Sequence, residues 1–164
     1  MPTVHLVEGP VGAGKSTLAT RLSHEHRAPH LDLDQWMVAL FRPDRPAEGF
    51  MEWYADRKQR CLDQIWHVAV GLLDLGDDVV LELGLVQRSL RLGFLERVRL
   101  DGYEPRVYLV DAPVDVRRER VRARNRAADG TFKMEVSDEI FAIANAAWEP
   151  PDEAEIRDWN VEFQ

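Results

Sequence analysis

The chain has 164 residues, 45 % of them hydrophobic, with 29 acidic against 21 basic side chains and a formal net charge of −8. That length holds one core and leaves no room for a second catalytic domain, so a single domain over residues 1–164 is expected. The acidic balance argues against a long nucleic-acid footprint, which needs clustered Lys and Arg. With no apolar run near the ~18 residues of a membrane span and no basic and apolar leader, a soluble, cytoplasmic protein is expected.

Thr3 to Glu8 reads as a short buried strand, with Val4, Leu6 and Val7 apolar. Gly9, Pro10, Val11, Gly12, Ala13, Gly14, Lys15 and Ser16, followed by Thr17, then match GxxxxGK[ST] at every fixed position. Leu18, Ala19 and Leu22 continue at helical spacing, so strand, loop and helix come in the order a phosphate cradle requires. Glycines at 9, 12 and 14 let backbone N–H groups turn inward as an anion nest, and the following helix adds its positive end. Lys15 is placed to reach the β and γ phosphates, and the Ser16 hydroxyl to ligate magnesium. A nucleotide binder is expected, and the chain length excludes the large ring-forming ATPases with their appended lid domain.

The second strand candidate, Pro29 to Leu33, runs into Asp34-Gln35-Trp36. A carboxylate at such a strand edge faces the γ phosphate and can accept a proton from an attacking hydroxyl, the role expected for Asp34. A competing role for Asp34 is the N-cap of the next helix, and Asp32 is expected to assist the metal through water. A long helix is predicted from about residue 47 to 75, stopped by Gly76, with Phe50, Tyr54, Cys61, Ile65, Val68 and Leu72 as its inward stripe. Arg57 falls on that stripe, as either a substrate-anion contact or a salt-bridge partner. Trp36, Trp53 and Tyr54 are candidates for a stacking wall around a substrate. Cys61, the one cysteine, reads as core, and the histidines as surface residues.

The third strand candidate, Asp78 to Leu83, carries Glu82 inside an apolar run, so that carboxylate needs magnesium-bound water, a substrate hydroxyl or an arginine beside it. The fourth, Pro105 to Asp111, leads into a helix started by Pro113. There Arg117, Arg120 and Arg124 share one face, and Arg118, Arg122 and Arg126 line the other flank. Aimed at the phosphate site, the first row would neutralise charge on a transferred phosphoryl group. Otherwise it is a solvated basic face or a nucleic-acid contact. Val136-Ser137-Asp138-Glu139 opens a further helix that ends before Trp148, and Trp159 to Phe163 is a weaker fifth strand. Strands alternating with helices, several of them apolar throughout, indicate an α/β, doubly wound parallel sheet of about five strands.

In these residues the chain resembles the small P-loop kinases grouped as an AAA-type ATP-binding family, close to gluconate kinase, chloramphenicol phosphotransferase, zeta toxin and phage polynucleotide kinase. The likeness covers Glu8 to Thr17, Asp34-Gln35-Trp36, Val79 to Glu82, Asp111-Ala112-Pro113 with Arg117 to Asn125, Gly130-Thr131-Phe132 and Trp148-Glu149-Pro150-Pro151. It implies a strand order of 2-3-1-4-5, ATP as donor, magnesium, Asp34 as base, and a mobile lid bearing Arg120 and Arg124. Polynucleotide kinases place an arginine three positions after the base, where this chain has Met37. The Asp-Gly-x-Pro-Arg segment of adenylate kinases and the Glu-Arg-Ser of deoxynucleoside kinases are also missing. The expected activity is transfer of the γ phosphate of ATP to a hydroxyl of a small molecule, with Trp36, Arg57 and Glu82 beside Asp34 in the substrate site. Two other readings stay open: a nucleic-acid or zeta-toxin-type kinase, and a regulatory module that holds ATP without transferring phosphate.

Overall fold

The computed structural model describes residues 1–127 and 135–164, and the Gly130-Thr131-Phe132 segment lies outside them. Five strands are observed, β1 (Thr3–Glu8), β2 (His30–Asp32), β3 (Val79–Glu82), β4 (Glu104–Leu109) and β5 (Glu162–Phe163). They pair in parallel in the order β2-β3-β1-β4-β5, as the resemblance implied. Seven helices are seen among the described residues: α1 (Lys15–His26), α2 (Leu33–Phe41), α3 (Phe50–Asp74), α4 (Arg88–Leu100), α5 (Val114–Ala127), α6 (Asp138–Ala147) and α7 (Glu153–Asp158). The chain steps to one side of β1 with β2 and β3 and to the other with β4 and β5. The loop after β1 therefore sits where the winding reverses, the usual place of a ligand crevice.

Side chains alternate across the sheet, so β1 serves two cores. Val4 and Leu6 join Leu31, Leu81, Cys61, Ile65, Trp66, Ala69, Leu73, Phe94 and Leu95 on the face covered by α3 and α4. Val7, Val80 and Tyr108 pack on Leu18, Ala19 and Leu22 of α1 on the other. Helix α3 ends where Gly76, at φ 93°, turns its N–H back to the Leu73 carbonyl at 2.9 Å, a conformation that suits glycine. Its buried ridge is Cys61, Ile65, Trp66, Ala69 and Leu73. Val68 and Leu72 of the predicted stripe are only half-buried, because the ridge follows i+4 steps from Cys61 rather than turning to Val68.

The observed strands are mostly shorter than expected, β4 ending at Leu109 rather than Asp111 and β3 spanning Val79–Glu82, and α3 starts at Phe50 rather than about residue 47. Strand β2 stops at Asp32, one residue early, because the Asp32 carboxylate accepts the Gln35 N–H at 3.2 Å and starts α2. Asp32, not Asp34, is therefore the N-cap. Strand β5 is only two residues long, with Trp159 and Val161 buried in the preceding turn. His5 is 1 % exposed, so it is not one of the surface histidines expected.

Between α4 and α7 the fold buries an ion pair that no sequence pattern indicated. Arg91, 1 % exposed, donates Nε to Glu155 Oε1 at 2.7 Å and Nη2 to Oε2 at 3.0 Å. Its Nη1 reaches the Leu85 and Val86 carbonyls, both at 3.2 Å, and Trp148 lies under the guanidinium. The Glu149 N–H donates to Val86 O at 2.9 Å, and the Glu149 carboxylate accepts the Arg88 N–H. Together these contacts hold the loop that leaves β3.

Candidate active site

The loop after β1 is built around glycines that no other residue could replace. Gly9 has φ 152° and Gly12 φ 75°, and an added Cβ would stand 2.1 Å from Val110 O or 2.6 Å from Arg117 O. The chain thus closes tightly against the end of β4 and against α5, with its backbone left to form the cradle. Lys15 donates from Nζ to Pro10 O at 3.0 Å, across its own loop. Ser16, in the first turn of α1, donates from Oγ to Glu82 Oε1 at 2.8 Å. Glu82 shares the sheet face of Val80, turned toward α1, and His30 Nε2 lies 3.2 Å from its Oε2. Asp32, 3 % exposed, completes a group in which His30, Asp32 and Glu82 each present a ligand atom within 4.8 Å of the others.

The arginines of α5 separate into two sets. Arg117, 4 % exposed, donates to Val11 O at 3.0 Å, Ala112 O at 2.9 Å and Asn145 Oδ1 at 2.7 Å. Those bonds brace the loop from behind and occupy the guanidinium that sequence reading assigned to phosphate. Arg120 Nη1 reaches Ala13 O at 3.1 Å, and the Nε of Arg124 is buried with no hydrogen-bond partner among the described residues. Arg118, Arg122 and Arg126 pair instead with Asp115, Asp138 and Glu119. Asn125 and Val136 hydrogen-bond in both directions, pinning the start of α6 to the end of α5.

On the opposite face, Asp34 stands exposed in the first turn of α2. Burial lifts the Tyr54 phenol to about 12, helped by the Asp34 charge. Burial also lowers Lys58 against the upward pull of Asp34 and Glu8, and Lys58 Nζ donates to Gly84 O at 3.3 Å. Lys58 is the cation of this face that the sequence reading passed over. A stripe phased through Tyr54, Lys58, Cys61 and Ile65 would have found it, since those steps are equally helical. Arg57 has partners within its own helix: Asp56 at 3.5 Å, Trp53 O at 3.3 Å and the Trp53 ring at 4.6 Å. Trp36, like Phe41 and Tyr54, is partly buried and packs against the core.

Glu8, the last residue of β1, is also new. It is 1 % exposed, and neither carboxylate oxygen has a hydrogen-bond partner among the described residues. Burial raises it to about 8 from an ordinary 4.5, outweighing the attraction of Lys15, Arg91 and Lys58. The folded chain therefore keeps a proton that the unfolded chain releases, and stability falls as pH climbs from about 4.5 through about 8. Glu8→Gln is expected to remove that fall, which amounts to on the order of 5 kcal/mol above pH 8. Thermal melting at pH 5 and pH 8.5 checks it: the variant should gain at the higher pH and hardly at the lower.

A groove of about 530 Å³ between α4 and α7, lined by Leu92, Glu96, Arg99 and Trp159 among others, includes neither the loop after β1 nor Asp34. No helix among the described residues is long and apolar enough to cross a membrane.

A family model described as AAA domain matches residues 4–151. Among solved structures, a gluconokinase from Sinorhizobium meliloti is similar at 18 % identity and a TM-score of 0.61, covering 99 % of this chain and 81 % of that one. Kti12 of Chaetomium thermophilum, in complex with ADP-AlF3, is similar at 14 % identity and 0.69, covering 98 % and 88 %. The APS kinase CysC of Mycobacterium tuberculosis, in complex with AMPPNP and APS, is similar at 19 % identity and 0.61, covering 93 % and 84 %. No curated protein sequence matches.

Proposed function

The chain belongs to the AAA domain family, and from that premise we propose that it is an ATP-dependent kinase, a single domain that transfers the γ phosphate of ATP to a hydroxyl of a small molecule. The observation that carries this reading is the 2.8 Å hydrogen bond from Ser16 to Glu82, which joins the loop after β1 to a strand-end carboxylate, with Asp34 beyond the end of the neighbouring strand. The backbone of residues 9–17 cradles the phosphate tail, and Lys15 leaves Pro10 O to meet it. Ser16 Oγ and the Glu82 and Asp32 carboxylates are hard oxygen donors that suit magnesium, with His30 Nε2, 3.2 Å from Glu82 Oε2, serving as that carboxylate's partner rather than as a ligand. Magnesium, when bound, supplies charge neutralisation at the β and γ phosphate oxygens. This gives Glu82 the metal side of the site rather than the acceptor side.

Asp34 takes the proton of the acceptor hydroxyl. The acceptor oxygen then bonds to the γ phosphorus as the bond to the bridging oxygen breaks and ADP leaves. Arg120, bonded to the loop, and Arg124, one turn further along α5, stabilise charge on the phosphoryl group in flight. Arg117 acts through the loop it braces. The acceptor lies over the face formed by Asp34, Trp36, Tyr54 and Lys58, with the aromatic group around Arg57 at its edge. A long nucleic-acid track is disfavoured because Arg118, Arg122 and Arg126 are already paired with acids.

The test is transfer from γ-labelled ATP across a panel of hydroxyl compounds, run with the native chain and with Lys15→Ala. A labelled product is expected, with its formation reduced at least about a hundredfold in the variant. ATP binding without transfer to any compound and without turnover would favour the regulatory module instead.

A further inference from the structure

At the opposite end of α1 from Ser16, three side chains from separate elements converge. His5 comes from β1, His26 is the last residue of α1, and Asp78 immediately precedes β3. His5 Nε2 lies 3.5 Å from Asp78 Oδ2, His26 Nδ1 lies 3.9 Å from the same oxygen, and all three ligand atoms fall within 4.8 Å of one another. The two imidazole rings are 4.1 Å apart. Ten residues of helix put this cluster about 15 Å from Ser16, so it is separate from the phosphate site.

From this convergence we infer a second metal site, a His5–His26–Asp78 centre for Zn2+ or a similar borderline transition ion. Four-coordinate zinc with bonds of about 2.0–2.2 Å sets its donors about 3.3 Å apart, so the 3.5 and 3.9 Å separations close by tenths of an ångström and the third, within 4.8 Å, by at most about 1.5 Å. Two imidazoles and one carboxylate are a donor set that zinc takes with its fourth position open. The Mg2+ expected beside Ser16 prefers all-oxygen donors.

The surroundings hold the ligands in a binding form. His5 Nδ1 is 2.9 Å from the Tyr108 hydroxyl, and in the tautomer that donates to it the Nε2 lone pair faces Asp78 and His26. That outer partner orients a metal-binding imidazole. The Thr3 N–H donates to Asp78 Oδ1 at 2.7 Å, which leaves Oδ2 for the ion. Arg106, whose charge also acts on His5, is itself paired with Glu162 at 3.0 Å. The His26 side chain is 32 % and Asp78 28 % exposed, so an ion can enter from solvent.

Bound there, the ion ties the end of α1 to the starts of β1 and β3. Since Ser16 begins the same helix, the clamp anchors the far end of the element that presents the phosphate cradle.

The experiment is calorimetric titration of the chelator-stripped chain with zinc chloride, repeated with His26→Ala, Asp78→Asn and His30→Ala, with thermal melts of each protein without metal. One zinc per chain is expected with Kd tighter than about 10 µM. It should weaken at least tenfold in His26→Ala and Asp78→Asn and stay unchanged in His30→Ala. Co2+ in place of zinc should give a visible ligand-field band that His26→Ala abolishes. His26 and Asp78 are partly exposed, so metal-free melting near the native value would confirm that the variants fold. Weaker binding, binding indifferent to His26→Ala, or binding lost equally in His30→Ala overturns the site.

Discussion

Asp34→Asn is expected to lower phosphate transfer from ATP by about 10²–10⁴-fold, with ATP affinity and melting temperature unchanged. The change swaps a carboxylate for an amide of the same shape and removes the one property a general base needs. It is a clean substitution because Asp32, not Asp34, accepts the Gln35 N–H and starts α2. Asp34 is exposed and within charge reach of Tyr54 and Lys58, so an acceptor can approach it without unfolding anything. The assay is single-turnover transfer to whichever hydroxyl compound the panel identifies, with ATP affinity measured separately by calorimetry. Full activity in the variant would remove Asp34 from the mechanism. A parallel loss of ATP affinity would move it to the phosphate side.

Arg91→Met is expected to destabilise the fold by about 3–5 kcal/mol, read by urea unfolding, and by roughly 6–20 °C in melting temperature. The loss comes less from the missing attraction than from what stays behind. Glu155, 2 % exposed, would keep only the longer 3.7 Å contact to Arg88 Nε, and the Leu85 and Val86 carbonyls would each lose a donor. The double variant Arg91→Met, Glu155→Leu should therefore recover most of the stability. A single variant within about 1 kcal/mol of the native protein would show that water reaches the pair. Because Arg91 holds the loop after Glu82, the single variant should also speed amide hydrogen exchange at residues 85 and 86.

Much of the nucleotide half of the site was legible before any fold was known. The loop after β1 is a continuous run in which each glycine, Lys15 and Ser16 answers to its neighbours in sequence. Strands β1, β3 and β4 announce themselves as short apolar runs. Ser137 shows its capping role through the adjoining acids Asp138 and Glu139, and the structure has it accepting the Ile140 N–H at 3.2 Å. The proposed acceptor half was much less legible. Arg57 and Lys58 are adjacent on one helix, and only the packing of α3 on the sheet decides that Arg57 turns to Asp56 and Trp53 while Lys58 lies toward Asp34 and Glu8. Asp32 and Asp34 lie two residues apart at a strand end, so a one-residue shift in where β2 stops exchanged the cap between them.

The amino-acid order alone thus carries a GxxxxGK[ST] loop after β1, the alternation of strands and helices, and one helix with a concentration of arginine. Each depends on interactions spanning a few residues, which local spacing encodes. Folding decided which charges meet: Ser16 with Glu82 across 66 positions, Arg117 with Val11 across 106, Arg91 with Glu155 across 64. It also decided that Glu8 would have no hydrogen-bond partner among the described residues. Such pairings come from strand order and helix rotation, and the energy of a buried charge depends on everything packed around it, which no window of neighbouring residues contains.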